Sequence, residues 1–202
     1  MGCDIHMHLE YKKNGRWWCG DYFRVNPYYE KGSNEPKYIK EYWCEGRDYG
    51  LFSTLANVRN YSGNDYIDEP RGLPDDVTEE VEADSDDWGI DGHNHSYFTL
   101  RELIEYRDSN PLLKRSGLVS KEDHDRYKNF GTEPTEWCLW SNAKGIEYLE
   151  WEVENKALYN LIDKIKERAN DLFLIYDFMW SRNKEECMKK AEDIRIVFWF
   201  DN

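Results

Sequence analysis

Four of the chain's five histidines form two His-x-His pairs. His6 and His8 lie between Asp4 and Glu10, and His93 and His95 follow Asp91 and Gly92. Imidazole is the commonest metal-binding side chain and the usual proton carrier near neutral pH. If the pairs meet in space, His6, His8, His93 and His95 offer four nitrogens to one ion. Asp4 would then be a further ligand or would orient a ring. That set suits a divalent transition metal, zinc or manganese first. Such an ion lowers the pKa of bound water and prepares it for hydrolysis, with Glu10 or Asp91 as the acid/base partner. In the plainer reading, histidines on a polar strand face bond only to their neighbours, and a histidine beside glycine caps a turn. The string His93-Asn94-His95 is not taken as an HNH nuclease motif, whose residues are spread over a larger fold.

The first pair is similar to the His-x-His on the first strand of amidohydrolase-type hydrolases. The likeness covers some seven residues. Such barrels run to about 250 residues with repeated strand–helix units. This chain of 202 shows no such repeat, so only the local chemistry carries over.

Three arginines fall in loop or helix-end settings: Arg47, Arg59 and Arg71. Guanidinium forks match phosphate and carboxylate. They point to a small phosphorylated or nucleotide-like ligand, or else to ion pairs with the plentiful carboxylates. Trp17, Trp18, Trp43, Trp88 and Tyr97 are available to stack on a base or to fill a core. The chain has no phosphate-binding glycine loop, dinucleotide fingerprint or Gly-x-Ser-x-Gly elbow. Cys3 falls on an apolar strand face, which makes it a poor nucleophile.

The net charge is -14, from 41 acidic and 27 basic residues. This argues against general binding to a nucleic-acid backbone, which relies on Lys and Arg. Residues 75–87 hold eight carboxylates in thirteen positions. They read as a solvated loop and short helix, as a cation site, or as a nucleic-acid-like surface for a basic partner. Five cysteines with no Cys-x-x-Cys pair imply neither a zinc ribbon nor a disulfide framework. No apolar run reaches the length of a membrane span. The Met1-Gly2-Cys3 start has His6 where a myristoylation signal needs Ser or Thr. A cytoplasmic protein is expected.

These side chains need elements to position them. Residues 3–11 alternate, with Cys3, Ile5, Met7, Leu9 and Tyr11 on one face and Asp4, His6, His8 and Glu10 on the other, as in a half-buried strand. Lys13-Asn14-Gly15 is a turn into a partner strand at 16–19. Residues 20–46 read as loops with short strands. Leu51, Phe52, Leu55 and Val58 have helical spacing after Asp48, a possible cap. The second histidine pair reads as a Gly-flanked loop. Thr99 and Glu102 form a capping-box signature, and Ser120 with Asp123 a weaker one. The strongest helical face runs over 156–169, with Leu158, Leu161, Ile162, Ile165 and Ala169. A further helix is expected over 182–192, and a mostly apolar central strand at 194–200. The prediction is one compact α+β domain over 1–202. It has a small mixed or antiparallel sheet containing both terminal strands, with helices packed on one face.

Five strings occur together: Met-Gly-Cys-Asp-Ile-His (1–6), Leu-Phe-Ser-Thr-Leu-Ala-Asn-Val-Arg (51–59), Pro-Arg-Gly-Leu-Pro-Asp-Asp-Val (70–77), Asp-Gly-His-Asn-His-Ser (91–96) and Arg-Ile-Val-Phe-Trp-Phe-Asp (195–201). As a set they resemble a family of bacteriophage and bacterial proteins. The resemblance implies a phage or prophage origin, action in the bacterial cytoplasm and a role in countering host defence. It supplies no mechanism. Three functions follow as expectations: a metal-dependent hydrolase of a small phosphorylated or nucleotide-like ligand, a protein that sequesters such a ligand unchanged, and an acidic inhibitor of a host protein.

Overall fold

The computed structural model describes residues 2–44, 46–173 and 183–201. Strand β1 (Asp4–Lys13) turns through Asn14 and Gly15, both at positive φ, into β2 (Arg16–Cys19). A tight hairpin requires that backbone, and Asn-Gly supplies it at little cost. The last strand, β8 (Ile194–Asp201), lies in the middle of the main sheet, in the order β2–β1–β8–β5, where β5 is His93–Thr99. All its neighbours pair antiparallel. Both terminal strands share this sheet, as expected.

A central strand must be covered on both faces. Ile194, Ile196, Phe198 and Phe200 join Cys3, Met7 and Leu9 in the main core. Four helices contribute to that core: α1 (Tyr49–Ala56), α3 (Leu100–Ser109), α5 (Lys156–Phe173) and α6 (Lys184–Ala191). Val197 and Trp199 point the other way and pack with Val81 of α2 (Glu79–Trp88). Helices therefore cover both faces of the sheet, not one. The acidic run forms α2, which turns Val81 and Ser85 inward and leaves most of its carboxylates in solvent. The five apolar positions foreseen on α5 are all buried. Position 182 of the expected last helix lies outside the described residues.

Three helix starts carry the caps their sequences announce. Asp48 accepts from the Gly50 and Leu51 amides, Thr99 and Glu102 close a full capping box, and Ser120 accepts from the Asp123 amide. Ser120 opens α4 (Lys121–Phe130), which sits against an antiparallel ribbon of β6 (Leu112–Ser120) and β7 (Ile146–Glu154). This ribbon has its own core of Leu113, Val119, Leu149, Trp151 and Val153. A short arm, β3 (Phe23–Val25) and β4 (Tyr38–Lys40), completes the chain.

Candidate functional site

β1 and β5 flank β8, so the two histidine pairs do approach each other. His6 lies opposite Trp199, and His8 opposite Val197. The second pair is on a strand, not in a loop, and that strand carries a bulge: His93 pairs with Phe200 and Ser96 with Phe198, leaving one extra residue on β5. Asn94 takes φ 53° within it. The extra residue breaks the period-two alternation. His95 therefore stacks on Trp199 at 5.5 Å between centroids, while His93 lies over Phe200 at 6.1 Å, on the opposite face of the sheet.

Three imidazoles surround one indole. His6 and His8 stack on Trp199 from the β1 side at 5.9 and 5.4 Å, and His95 from the β5 side. The fully buried Trp199 ring stands between the pairs. Among the described residues, no three His, Cys, Asp or Glu side chains are grouped to hold a metal ion. Asp4 is engaged by Arg47 in a two-pronged pair at 2.8 and 2.7 Å, which holds its carboxyl below the usual range. Asp91 is exposed at the end of the 3-10 turn Gly89–Asp91. Glu10 is fully buried, accepting from Arg195 Nε at 2.6 Å and from the Thr78 amide at 2.7 Å. It anchors α2 to the sheet, and no face of it is open to a substrate.

The polar partners of His8 fix its protonation. Its Nδ1 lies 2.8 Å from Asp21 Oδ2, and its Nε2 lies 2.8 Å from Asp84 Oδ2. Asp21 is itself held by the Leu9 amide at 2.8 Å and by Trp43 Nε1 at 2.7 Å. Burial pushes His8 down, but the two carboxylates outweigh it and raise the ring to about 10. This favours the doubly protonated ring, which has no lone pair for a metal, even with Lys40 Nζ 3.0 Å from Nε2. The hydrogen bond from His8 holds Asp84 down at about 2. Burial lowers His6 and His95, which favours the neutral ring in each, and Ser85 Oγ lies 2.9 Å from His95 Nε2. His6 and His8 open onto a cleft of about 810 Å³ together with Lys40 and Trp88.

The arginines separate in the same way. Arg71 is spent on Asp68 at 3.0 Å and Glu102 at 2.8 Å, over the Phe98 ring. Arg47 is spent on Asp4. Arg59 lines a cavity of about 290 Å³ between α1 and β6 and donates to the Tyr61 hydroxyl at 3.2 Å. Lys114 and Arg115 line the same cavity. Asn64 ties its rim to β6, donating to the Lys114 carbonyl and accepting from the Lys114 amide. The Ser62 and Ser116 hydroxyls meet there at 3.2 Å.

Arg115 is half-buried, and no carboxylate of the described residues lies within ion-pair distance of it. Its guanidinium lies 5.9 Å from the centre of the Trp137 ring. Sequence reasoning missed Lys114 and Arg115. The available signal was Lys-Arg-Ser-Gly at 114–117, two adjacent cations in a strongly acidic chain. The aromatics singled out from sequence serve mainly as structure: Trp17 lies under the Arg195 guanidinium, Trp43 bonds Asp21, Trp88 packs on His6 and Tyr97 lies beside Arg71. Trp18 is exposed near Arg16.

The chain matches no protein-family model, no curated protein and no solved structure.

Proposed function

We propose that this protein binds and sequesters a small phosphorylated, nucleotide-like ligand in the cavity between α1 and β6. One observation carries the reading: Arg115 keeps a half-buried guanidinium with no carboxylate of the described residues within ion-pair distance, in a chain of net charge -14. A partly desolvated cation left without an anion is costly. With 41 acidic side chains in the sequence, an internal partner would be easy to supply. An anionic ligand supplies the missing charge, and Arg59 and Lys114 add to it. Tyr49, Tyr61 and Trp137 give the walls flat apolar surface for a base.

The polar groups lining this cavity are guanidinium, ammonium, hydroxyl and amide. No carboxylate, imidazole or thiol among them is available as base or nucleophile, so capture is favoured over turnover. The metal-dependent hydrolase reading needs the four imidazoles to converge, and Trp199 lies between them. In a bacterial cytoplasm, such a protein would withdraw a nucleotide signal from a host defence pathway without destroying it.

Calorimetric titration with AMP tests the proposal, followed by recovery of the nucleotide from heat-denatured complex. Binding with unchanged AMP is expected. Arg115→Ala should weaken it by about 2 kcal/mol, roughly 30-fold, the worth of a charge-assisted hydrogen bond. Conversion of AMP at substoichiometric protein overturns sequestration. Absence of binding, or equal binding by Arg115→Ala, overturns the site.

A further inference from the structure

Three cavities meet at Arg115. The central one is the cation-lined space of about 290 Å³ just described. A second, of about 240 Å³, shares Leu113, Arg115 and Trp137 with it and adds Trp151 and the carboxylates Asp48, Glu133 and Glu154. A third, of about 330 Å³, shares Ser62, Lys114, Arg115 and Ser116 and adds Tyr127, Trp151, Glu150 and Glu152. Hydrogen-bond donors gather in the middle, with aromatic rings and acceptors at both ends. The strand pairing builds this pattern. Arg115 lies opposite Trp151, Lys114 opposite Glu152, and Ser116 opposite Glu150, so the basic patch of β6 is bordered by the acidic edge of β7.

This arrangement selects among phosphorylated ligands. The central donors suit a phosphate or phosphodiester. The carboxylates in both outer cavities would repel further phosphates, which counts against a polyphosphate tail. They do accept from the amino and ring N–H groups of a nucleobase, whose face the tryptophans and tyrosine can stack. Stacking of this kind is worth about 1–3 kcal/mol per base. Glycine at two positions keeps the approach open. A Cβ at Gly50 would sit 3.0 Å from Leu113 Cδ1 and 3.7 Å from an Arg115 terminal nitrogen. One at Gly117 would sit 2.8 Å from the Trp137 ring.

We infer that the ligand is two-headed: a dinucleotide whose phosphodiester sits on Arg115, Lys114 and Arg59, with one amino-bearing base in each outer cavity. The inference rests on the proposed function and narrows its ligand class. No covalent step is involved.

The test is titration of the intact protein with three probes: the 5′-phosphorylated dinucleotide pGpG, GMP and GTP. The dinucleotide is expected to bind at least 10-fold more tightly than GMP, and GTP no more tightly than GMP. Replacing Glu150 and Glu152, both exposed, by Gln should remove most of the dinucleotide's advantage over GMP. Circular dichroism of this double variant verifies its fold. If pGpG and GMP bind equally, or GTP binds best, the two-headed ligand is overturned while the phosphate site stands. If the double variant is folded and keeps the full advantage, the assignment of a base to the β7 cavity is overturned. If none of the three binds, the proposed function itself falls.

Discussion

The ion-paired His8 is the feature whose energy is most open to measurement. Its ring titrates at 6.5 when unperturbed and at about 10 in the folded chain. At 1.36 kcal/mol per pH unit, the folded state binds that proton more tightly by about 5 kcal/mol. Because the folded pKa is raised, this stabilisation is complete below pH 6.5. It shrinks as pH rises and is gone once pH passes the folded value. Asp21 and Asp84 take part in the same hydrogen bonds, so their depressed values add nothing further in this window; they matter only in acid. The perturbation is His8→Gln, read by urea unfolding at pH 6, 8 and 10. Taking the difference between wild type and variant cancels every titrating group the two share. That difference should be several kcal/mol at pH 6 and fall by about 1.4 kcal/mol per pH unit through the window. NMR of the imidazole should show His8 still protonated at pH 8. A ring that titrates at or below 7, or a stability difference flat from pH 6 to 10, would refute the clamped imidazolium. It would also return His8 to the pool of possible metal ligands.

Three further outcomes follow from the packing. Glu10→Ala removes the buried carboxylate that accepts from Arg195 Nε and the Thr78 amide and should cost about 3–5 kcal/mol in urea unfolding; a loss under about 1 kcal/mol would return Glu10 to the role of free carboxylate. Gly117→Ala drives a Cβ to 2.8 Å from Trp137 and 3.1 Å from the Cys138 carbonyl oxygen. It should lower stability by about 1–3 kcal/mol and change tryptophan emission, and an unchanged melting curve would contradict that contact. At the β5 bulge, where Asn94 has φ 53°, Asn94→Gly should leave stability within about 0.5 kcal/mol, whereas Asn94→Val should cost about 1–2 kcal/mol in thermal unfolding. Equal effects of the two substitutions would show that the bend does not depend on the left-handed residue.

The parts of the fold that could be read from sequence depend on short-range rules. Period-two alternation placed β1, and Asp48, Thr99 and Ser120 marked helix starts because a cap is decided within three residues. The β6–β7 ribbon was missed although Leu149-Glu150-Trp151-Glu152-Val153-Glu154 alternates cleanly. The chain before it, from 131 to 145, has no regular element to frame the strand. The site was harder to foresee, for a different reason. His6 and His8 share a face because an uninterrupted strand fixes it. The same spacing at His93 and His95 yields opposite faces because one extra residue enters the ladder at Asn94. Spacing therefore specifies convergence only where the strand's register is known, and register depends on the partner strand β8, about 100 residues away in sequence. The functional weight shifts for the same reason. Of the arginines chosen for their loop setting, two are neutralised by carboxylates that only the fold brings near, Asp4 for Arg47 and Glu102 for Arg71. Arg115, which has no carboxylate of the described residues within ion-pair distance, lies on a strand whose pairing places Trp151 directly opposite it. An unpaired charge is a property of three-dimensional neighbours, so the adjacent cations at 114–115 are visible in the sequence but their lack of a nearby carboxylate is not.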